Sequence, residues 1–547
     1  MEHFLNALEK TVRENWNSAA LGNFRGKEWT FGGMAEQAVK MQIMFEACGV
    51  QPGDKVTLYA ANSAQWAISF LSICTYRAVV VPLLSEFRPA DGTQLVNHSD
   101  SKVLMADKDT LGKLNIEEMP QIRAAFCIDD FSLWCTSDES IKQAYADIEA
   151  TFKEKYPNGL SASDIKYPTD NWKDVAVINY TSGTTSAPKG VMLTFENLST
   201  SVDFATRHIP CSSKDKIVSM LPMGHIYGMV IEFLYPLSNG VHVTYLGKAP
   251  AASTLLAAVA EVKPYIVITV PLVMEKVYKN KIKPVLDKPV MKVLTSIPGI
   301  KNILYSVVRN KLMAAFGGNV CEFVMGGAAL NPEVEKVFAA MKLPYTVGYG
   351  MTEAAPLIAY RHFSEYVQGS CGKYLDCEEV RIDSADPENV PGEIQARGTN
   401  LCLGYFKNPE ATEKLFTEDG FLHTGDLGVM DKDGNVFIKG RSKNMILSSN
   451  GQNIFPEELE AIINGQDYVV ESVVTDRKTK LVALVYLDAD AIKKAGLDAA
   501  AVEAYKSTLR SNVNKLFPTY SQIASVEWVD KPFEKTPKMS IKRFLYL

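Results

Sequence analysis

The chain has 547 residues, 47% hydrophobic and 22% charged, with a formal net charge of −6. That length exceeds what one hydrophobic core holds, so at least two domains are expected, and the composition excludes wholesale disorder. An acidic balance lacks the basic face of a nucleic-acid binder, though a few backbone amides and one lysine can still hold a small anion.

The N-terminus, MEHFLNALEKTVRENW, is charged throughout and is no signal peptide. Nine scattered cysteines, with no CxxC pair or His/Cys cluster, favour a reducing compartment. Apolar stretches such as AISFLSICTY before Arg77 are too short to span a bilayer, so a cytoplasmic protein is expected.

From residue 50 apolar runs alternate with helical patterns. Strands are expected at KVTLYA (55–60), AVVVPLL (78–84), KVLMA (102–106), VAVINY (175–180), KIVSMLP (216–222), VHVTYL (241–246), YIVITVP (265–271), CEFVMGG (321–327) and PYTVGYG (344–350). AQWAISFLSICTY (64–76) reads as a helix, and the polar stretch 136–173 as a mobile surface segment. Near-continuous β-branched runs separated by helices indicate parallel strands covered on both faces, with ligands bound beyond their carboxyl ends. Past residue 370, PGEIQARG, NVFIKG and the hairpin signal DKDG suggest short antiparallel strands. After GRSKNMI comes a small α+β unit: a helix at PEELEAII, a hairpin, a second helix and the strand ASVEWV. The expected class is α/β. Residues 1–440 form a large domain of parallel and mixed sheets flanked by helices, with a β subdomain, and 441–547 a small α+β domain.

The turn after VAVIN reads YTSGTTSAPKG (180–190). Glycine lets backbone amides approach phosphate oxygens, hydroxyls donate, and lysine supplies charge. It is not a Walker A loop, because Lys189 is followed by Gly190 and Val191 rather than by a hydroxyl residue. Other strand ends add partners. In YGMTE, Thr352 can orient a phosphate and Glu353 can hold magnesium. GGAAL (326–330) offers small residues for a flat base, HTGDLG presents Asp426 to ribose hydroxyls, and GRSKN contributes Arg441. Each has a structural reading too: Asp426 as a turn former, Glu353 as a helix cap, Arg441 as a surface ion pair. Five such motifs in order are hard to attribute to chance.

In this order and spacing the motifs resemble the adenylate-forming superfamily of acyl-CoA synthetases, luciferases and peptide-synthetase adenylation domains. Within it the chain is most similar to bacterial long-chain fatty-acid–CoA ligases. The resemblance implies ATP, magnesium and coenzyme A. It places Thr181, Ser182, Gly183, Thr184, Thr185 and Lys189 on the β- and γ-phosphates, Thr352 on the α-phosphate and Glu353 on magnesium. Gly327, Ala328, Ala329 and Tyr349 would line the adenine, with Gly350 and Met351 in the same YGMTE stretch, while Asp426 and Arg441 would hold the ribose. Lys443 falls at the hinge of a small domain that swings between half-reactions, and Gly451 in the segment lining the pantetheine tunnel.

LPMGHIYGM (221–229), with His225 and Gly228, matches the acyl-pocket wall. It holds no acidic residue, so an amino-acid substrate is disfavoured. His225 reads equally well as a pocket residue or a packed core histidine. Medium or long fatty acids are implied by overall resemblance only.

One motif departs from the family. In KTPKMSIKRF (535–544) Ser540 stands where relatives carry a lysine that reaches the substrate carboxylate. Lys538 and Lys542 flank it. Three readings are open: a neighbouring lysine takes over, the enzyme works on preformed adenylate, or the chain is a non-catalytic acyl-nucleotide binder. A segment shortened after SVVTDRKTK adds a carrier-protein thiol as an alternative acceptor. No zinc or GxSxG constellation is present, and no oligomeric state is specified. A fatty-acid enzyme can touch the bilayer transiently to collect substrate, but no basic amphipathic helix announces such contact.

Overall fold

A computed structural model describes the chain except residues 182–187, 248–251, 296, 298, 448–451, 478–479 and 537–539. Its largest sheet has eight strands, in spatial order Gly404–Tyr405, Lys189–Thr194, Val175–Thr181, Val79–Leu83, Lys55–Tyr59, Ser101–Ala106, Ala124–Cys127 and Ser132–Cys135. The five central strands run parallel and the edges are antiparallel. Successive residues point to opposite faces. Val56, Leu58, Val80, Val103 and Met105 therefore join a core with Phe45, Trp66 and Phe70. Val79, Val81 and Leu104 join another with Leu95 and Val96 of the helix Pro89–Ser99. Both faces are buried, which is why these strands read as continuous apolar runs.

Two smaller sheets extend this layer. One orders Lys216–Ser219, His242–Tyr245, Ala19–Asn23 and Glu28–Thr30; the other is parallel, with Ile266–Thr269, Glu322–Met325 and Tyr345–Val347. Antiparallel pairing then takes over in Glu378–Asp383, Gly392–Gly398, Leu422–Met430 and Val436–Arg441. Beyond Arg441 the strands Val469–Arg477, Lys480–Leu487 and Ser525–Val529 pack against helices Pro456–Gly465 and Ala499–Asn514. They enclose a separate core that includes Leu459, Ile463, Val474, Val485 and Leu509. This unit is tied to the rest by the Asn331 amide, which donates to Ala461 O (2.6 Å), and by the Lys283–Asp467 ion pair (2.5 Å).

After YTSGTTSAPKG, Lys189–Thr194 folds back antiparallel on Val175–Thr181, with Thr181 opposite Lys189. One expectation changes. The stretch 136–173 holds the helices Glu139–Ala146 and Ile148–Lys155. Each buries one apolar side chain, Ile141 or Phe152, a signal too sparse to stand out from a polar background. Among the described residues no helix is long and apolar enough to cross a membrane.

Candidate active site

The carboxyl ends of neighbouring strands bring two charged corners together. Strands Glu322–Met325 and Tyr345–Val347 run side by side, so Gly327, Ala328 and Ala329 emerge exposed beside the start of Tyr349–Gly350. Gly327 takes a left-handed backbone, φ +84°, which glycine adopts without penalty. At Gly350 a Cβ would fall 1.7 Å from Pro356 O, so no larger residue fits that turn. Met351 N–H donates to the same oxygen (2.8 Å), leading the chain into the short helix Thr352–Ala354.

Asp426 and Arg441 face each other across two antiparallel strands. Arg441 Nε lies 2.8 Å from Asp426 Oδ1, and the Tyr349 hydroxyl donates to Oδ2 at 2.6 Å. Asp426 is only 4% exposed. Burial pushes its carboxyl pKa up, and the guanidinium opposes that shift. Burial, then Asp426, holds the Tyr349 phenol well above its ordinary value. A carboxylate has about four lone-pair sites, so two remain for a pair of hydroxyls.

Lys189, Tyr405 and Glu353 form the second corner. Gly404–Tyr405 pairs with Val191 and Met192, which places Lys189 Nζ over the Tyr405 ring, 4.7 Å from its centroid. The Tyr405 hydroxyl donates to Glu353 Oε1 (2.8 Å), and Cys402 N–H to Glu353 O (2.8 Å). Glu353 and Thr352 are both buried. The two corners share one plan: a buried carboxylate fixed by a tyrosine hydroxyl and accompanied by one cation.

Residues 8–406 match the AMP-binding enzyme family, and residues 443–546 match the AMP-binding enzyme C-terminal domain. The chain is an AMP-binding enzyme. Among curated relatives it is 28% identical to the long-chain-fatty-acid–CoA ligase FadD15 of Mycobacterium bovis, covering 94% of this chain and 90% of that one. It is 26% identical to the chloroplastic long-chain-fatty-acid–[acyl-carrier-protein] ligase AEE15 of Arabidopsis thaliana, over 90% and 78%. The anthranilate CoA ligase AuaEII, solved with anthranoyl-AMP, shares the fold at a TM-score of 0.80 and 19% identity, over 100% and 96% of the two chains.

The stretch 221–229 of this AMP-binding enzyme is fixed from several sides. Asn62 accepts from Met223 N–H (2.8 Å) and donates to Leu221 O (2.6 Å), while Asn179 donates to Gly224 O (2.9 Å). His225 is half-buried and its Nδ1 accepts from Tyr227 N–H (3.2 Å), so it is not an enclosed core histidine. At Gly228 a Cβ would meet Pro222 O at 2.5 Å. The Tyr227 hydroxyl packs over Gly326 and points toward Thr269 O and Val324 O, both at 3.4 Å.

Two residues that carry no motif of their own belong here: Tyr405 and Glu232. Glu232 sits fully buried in the wide helical turn Gly228–Leu234 and accepts from Ser219 Oγ (2.9 Å), Met220 N–H and Leu221 N–H. Burial pushes its pKa up to about 8, against the pull of those donors. It fastens residues 219–221, which lead into this stretch. A lone tyrosine gives no sequence signal because its partners come from distant parts of the chain, and a glutamate in an apolar run gives none before the donors at residues 219–221 are seen around it.

Beyond Arg441, Lys443 lies in the turn Ser442–Asn444, its pKa lowered by burial and by Arg441. Lys542 does not join either corner. Its ammonium pairs with Glu534, and its N–H donates to Glu534 O (2.8 Å). Thr536 N–H donates to Ser540 O (2.8 Å), and Arg543 pairs with Glu460. Ser182, Gly183, Thr184, Thr185, Gly451 and Lys538 lie outside the described residues.

Proposed function

We propose that this enzyme activates a medium- or long-chain fatty acid and ligates it to coenzyme A in the cytoplasm. The observation that carries this reading is the pair of tyrosine-held carboxylates, Glu353 beside Lys189 and Asp426 beside Arg441, within a chain that matches fatty-acid ligases nearly end to end.

In the first step the acid's carboxylate attacks the α-phosphorus of ATP, and pyrophosphate leaves. Asp426 and Arg441 hold the ribose, Gly327 to Ala329 and Tyr349 flank the base, and Lys189 with Thr181 and Thr352 offsets phosphate charge. The hard oxygens of Glu353 suit magnesium, which when bound neutralises phosphate charge. Among the described residues no three His, Cys, Asp or Glu side chains cluster for a metal. In the second step the thiol attacks the acyl phosphate anhydride and AMP leaves. Residues 1–440 and 441–547 act as body and lid, hinged near Lys443. Lys542 rests paired with Glu534, and we take Lys538 as the first candidate for the charge missing at Ser540.

The test is exchange of labelled pyrophosphate into ATP with acids from acetate to oleate, then product formation with coenzyme A or a carrier protein. Exchange with the longer acids and acyl-CoA as product are expected. ATP binding without exchange for any acid would return the chain to the non-catalytic reading, and charging of the carrier protein alone would change the acceptor.

A further inference from the structure

The segment joining the parallel strands Ile266–Thr269 and Glu322–Met325 begins at the site itself, where Val270 flanks Gly327. It then leaves the body as a string of helices, including Pro271–Val277, Pro289–Thr295 and Ile300–Ala315. The first and last of these, with the turn Tyr278–Ile282, enter a core through Met274, Ile282, Val308 and Leu312. Val285, Val290, Val293, Ile297, Ile303 and Val307 are all exposed, Val290 by 68% and Ile303 by 66%.

Four of these side chains lie on two neighbouring helices. Val290 and Val293 are one helical turn apart, as are Ile303 and Val307. Monomeric soluble proteins seldom leave such a patch in water.

The charge around the face selects its partner. Residues 271–315 carry nine Lys/Arg against two Asp/Glu, in a chain with 57 against 63. Lys279 and Lys283 are tied to Val469 O and Asp467, whereas Lys281, Lys288, Lys301 and Lys311 are exposed. A twofold dimer through this face would set the same lysines against each other. Nucleic acid would have no use for exposed valines and isoleucines. An anionic lipid surface satisfies both features, taking the aliphatic side chains among its acyl chains and the ammonium groups among its headgroups.

We propose that the exposed aliphatic side chains of Val285, Val290, Val293, Ile297, Ile303 and Val307, with the lysines beside them, dock this protein on anionic phospholipid. No single basic amphipathic helix is legible in the sequence because the face is shared between Pro289–Thr295 and Ile300–Ala315. Docking is read without turnover, so its failure and that of the ligase reading are distinguishable.

The experiment is cosedimentation of the full chain with vesicles of phosphatidylcholine alone or mixed in equal parts with phosphatidylglycerol. Binding to the mixed vesicles, weak on the neutral ones and falling as salt is raised, is expected. Val290→Ser with Ile303→Ser, and separately Lys288→Glu with Lys301→Glu, should each weaken binding by roughly tenfold or more, with the unfolding temperature unchanged. Equal binding by wild type and both folded variants would overturn the proposal. So would absence of wild-type binding, and so would dimerisation that Ile303→Ser abolishes without any binding to vesicles.

Discussion

The ribose corner and the C-terminal loop both hold opposite charges close together, yet they differ in burial. Asp426 is enclosed, with Arg441 and Tyr349 already aimed at its two oxygens. Glu534, which holds Lys542, is exposed, and such a pair contributes only about 0–1 kcal/mol. The buried corner is set before substrate arrives and acts by preorganisation, whereas the loop pair is readily exchanged for water.

That contrast gives graded expectations. Lys189→Ala and Glu353→Gln, at the corner facing the phosphates, should each lower pyrophosphate exchange by about 10²–10³-fold, because each removes charge stabilisation from an enclosed site. Lys538→Ala should cost about a hundredfold in exchange and spare thioester formation from supplied acyl adenylate. Asp426→Asn should raise KM for ATP by about tenfold to a hundredfold, the value of one or two charged hydrogen bonds. Lys542→Ala should change exchange by less than about threefold. A large loss there, with little at Lys538, would reverse the assignment of the two lysines.

The smallest effect concerns stability. Glu232 has its pKa raised from an ordinary 4.5 to about 8, so between those values the folded protein holds more protons than the unfolded chain. Its stabilising contribution is full below the lower value and is lost as pH climbs through the upper one. Glu232→Gln should flatten the decline in unfolding temperature measured from pH 5 to 8.

What the sequence conveyed was local. β-Branched runs marked most strands of the body because those strands are buried on both faces, and the hydroxyl, glycine and acidic motifs marked their carboxyl ends. Asp426, Arg441, Lys189 and Glu353 were legible because each lies in a distinctive string. Tyr405 was not, since its role arises only when Gly404–Tyr405 pairs with a strand some two hundred residues earlier. Glu232 escaped for a similar reason: a carboxylate inside an apolar run becomes intelligible only once three donors from residues 219–221 are seen around it. The fold-back of Lys189–Thr194 was hidden because a Ser/Thr/Gly turn leads equally well into a strand or a helix.

The register of Asp426 with Arg441 has a mechanical consequence. Arg441 is the last residue of its strand, and the turn Ser442–Asn444 leading into the small unit starts at the next bond. On the proposed reading of residues 441–547 as a lid, the guanidinium would be its axle pin: rotation about that point leaves the pair intact, whereas sliding along the chain pulls the pin from Asp426. On that same reading a nucleotide seated in this corner would tighten the pin, so the filling of the proposed ribose pocket and the play in the proposed lid would become one mechanical variable.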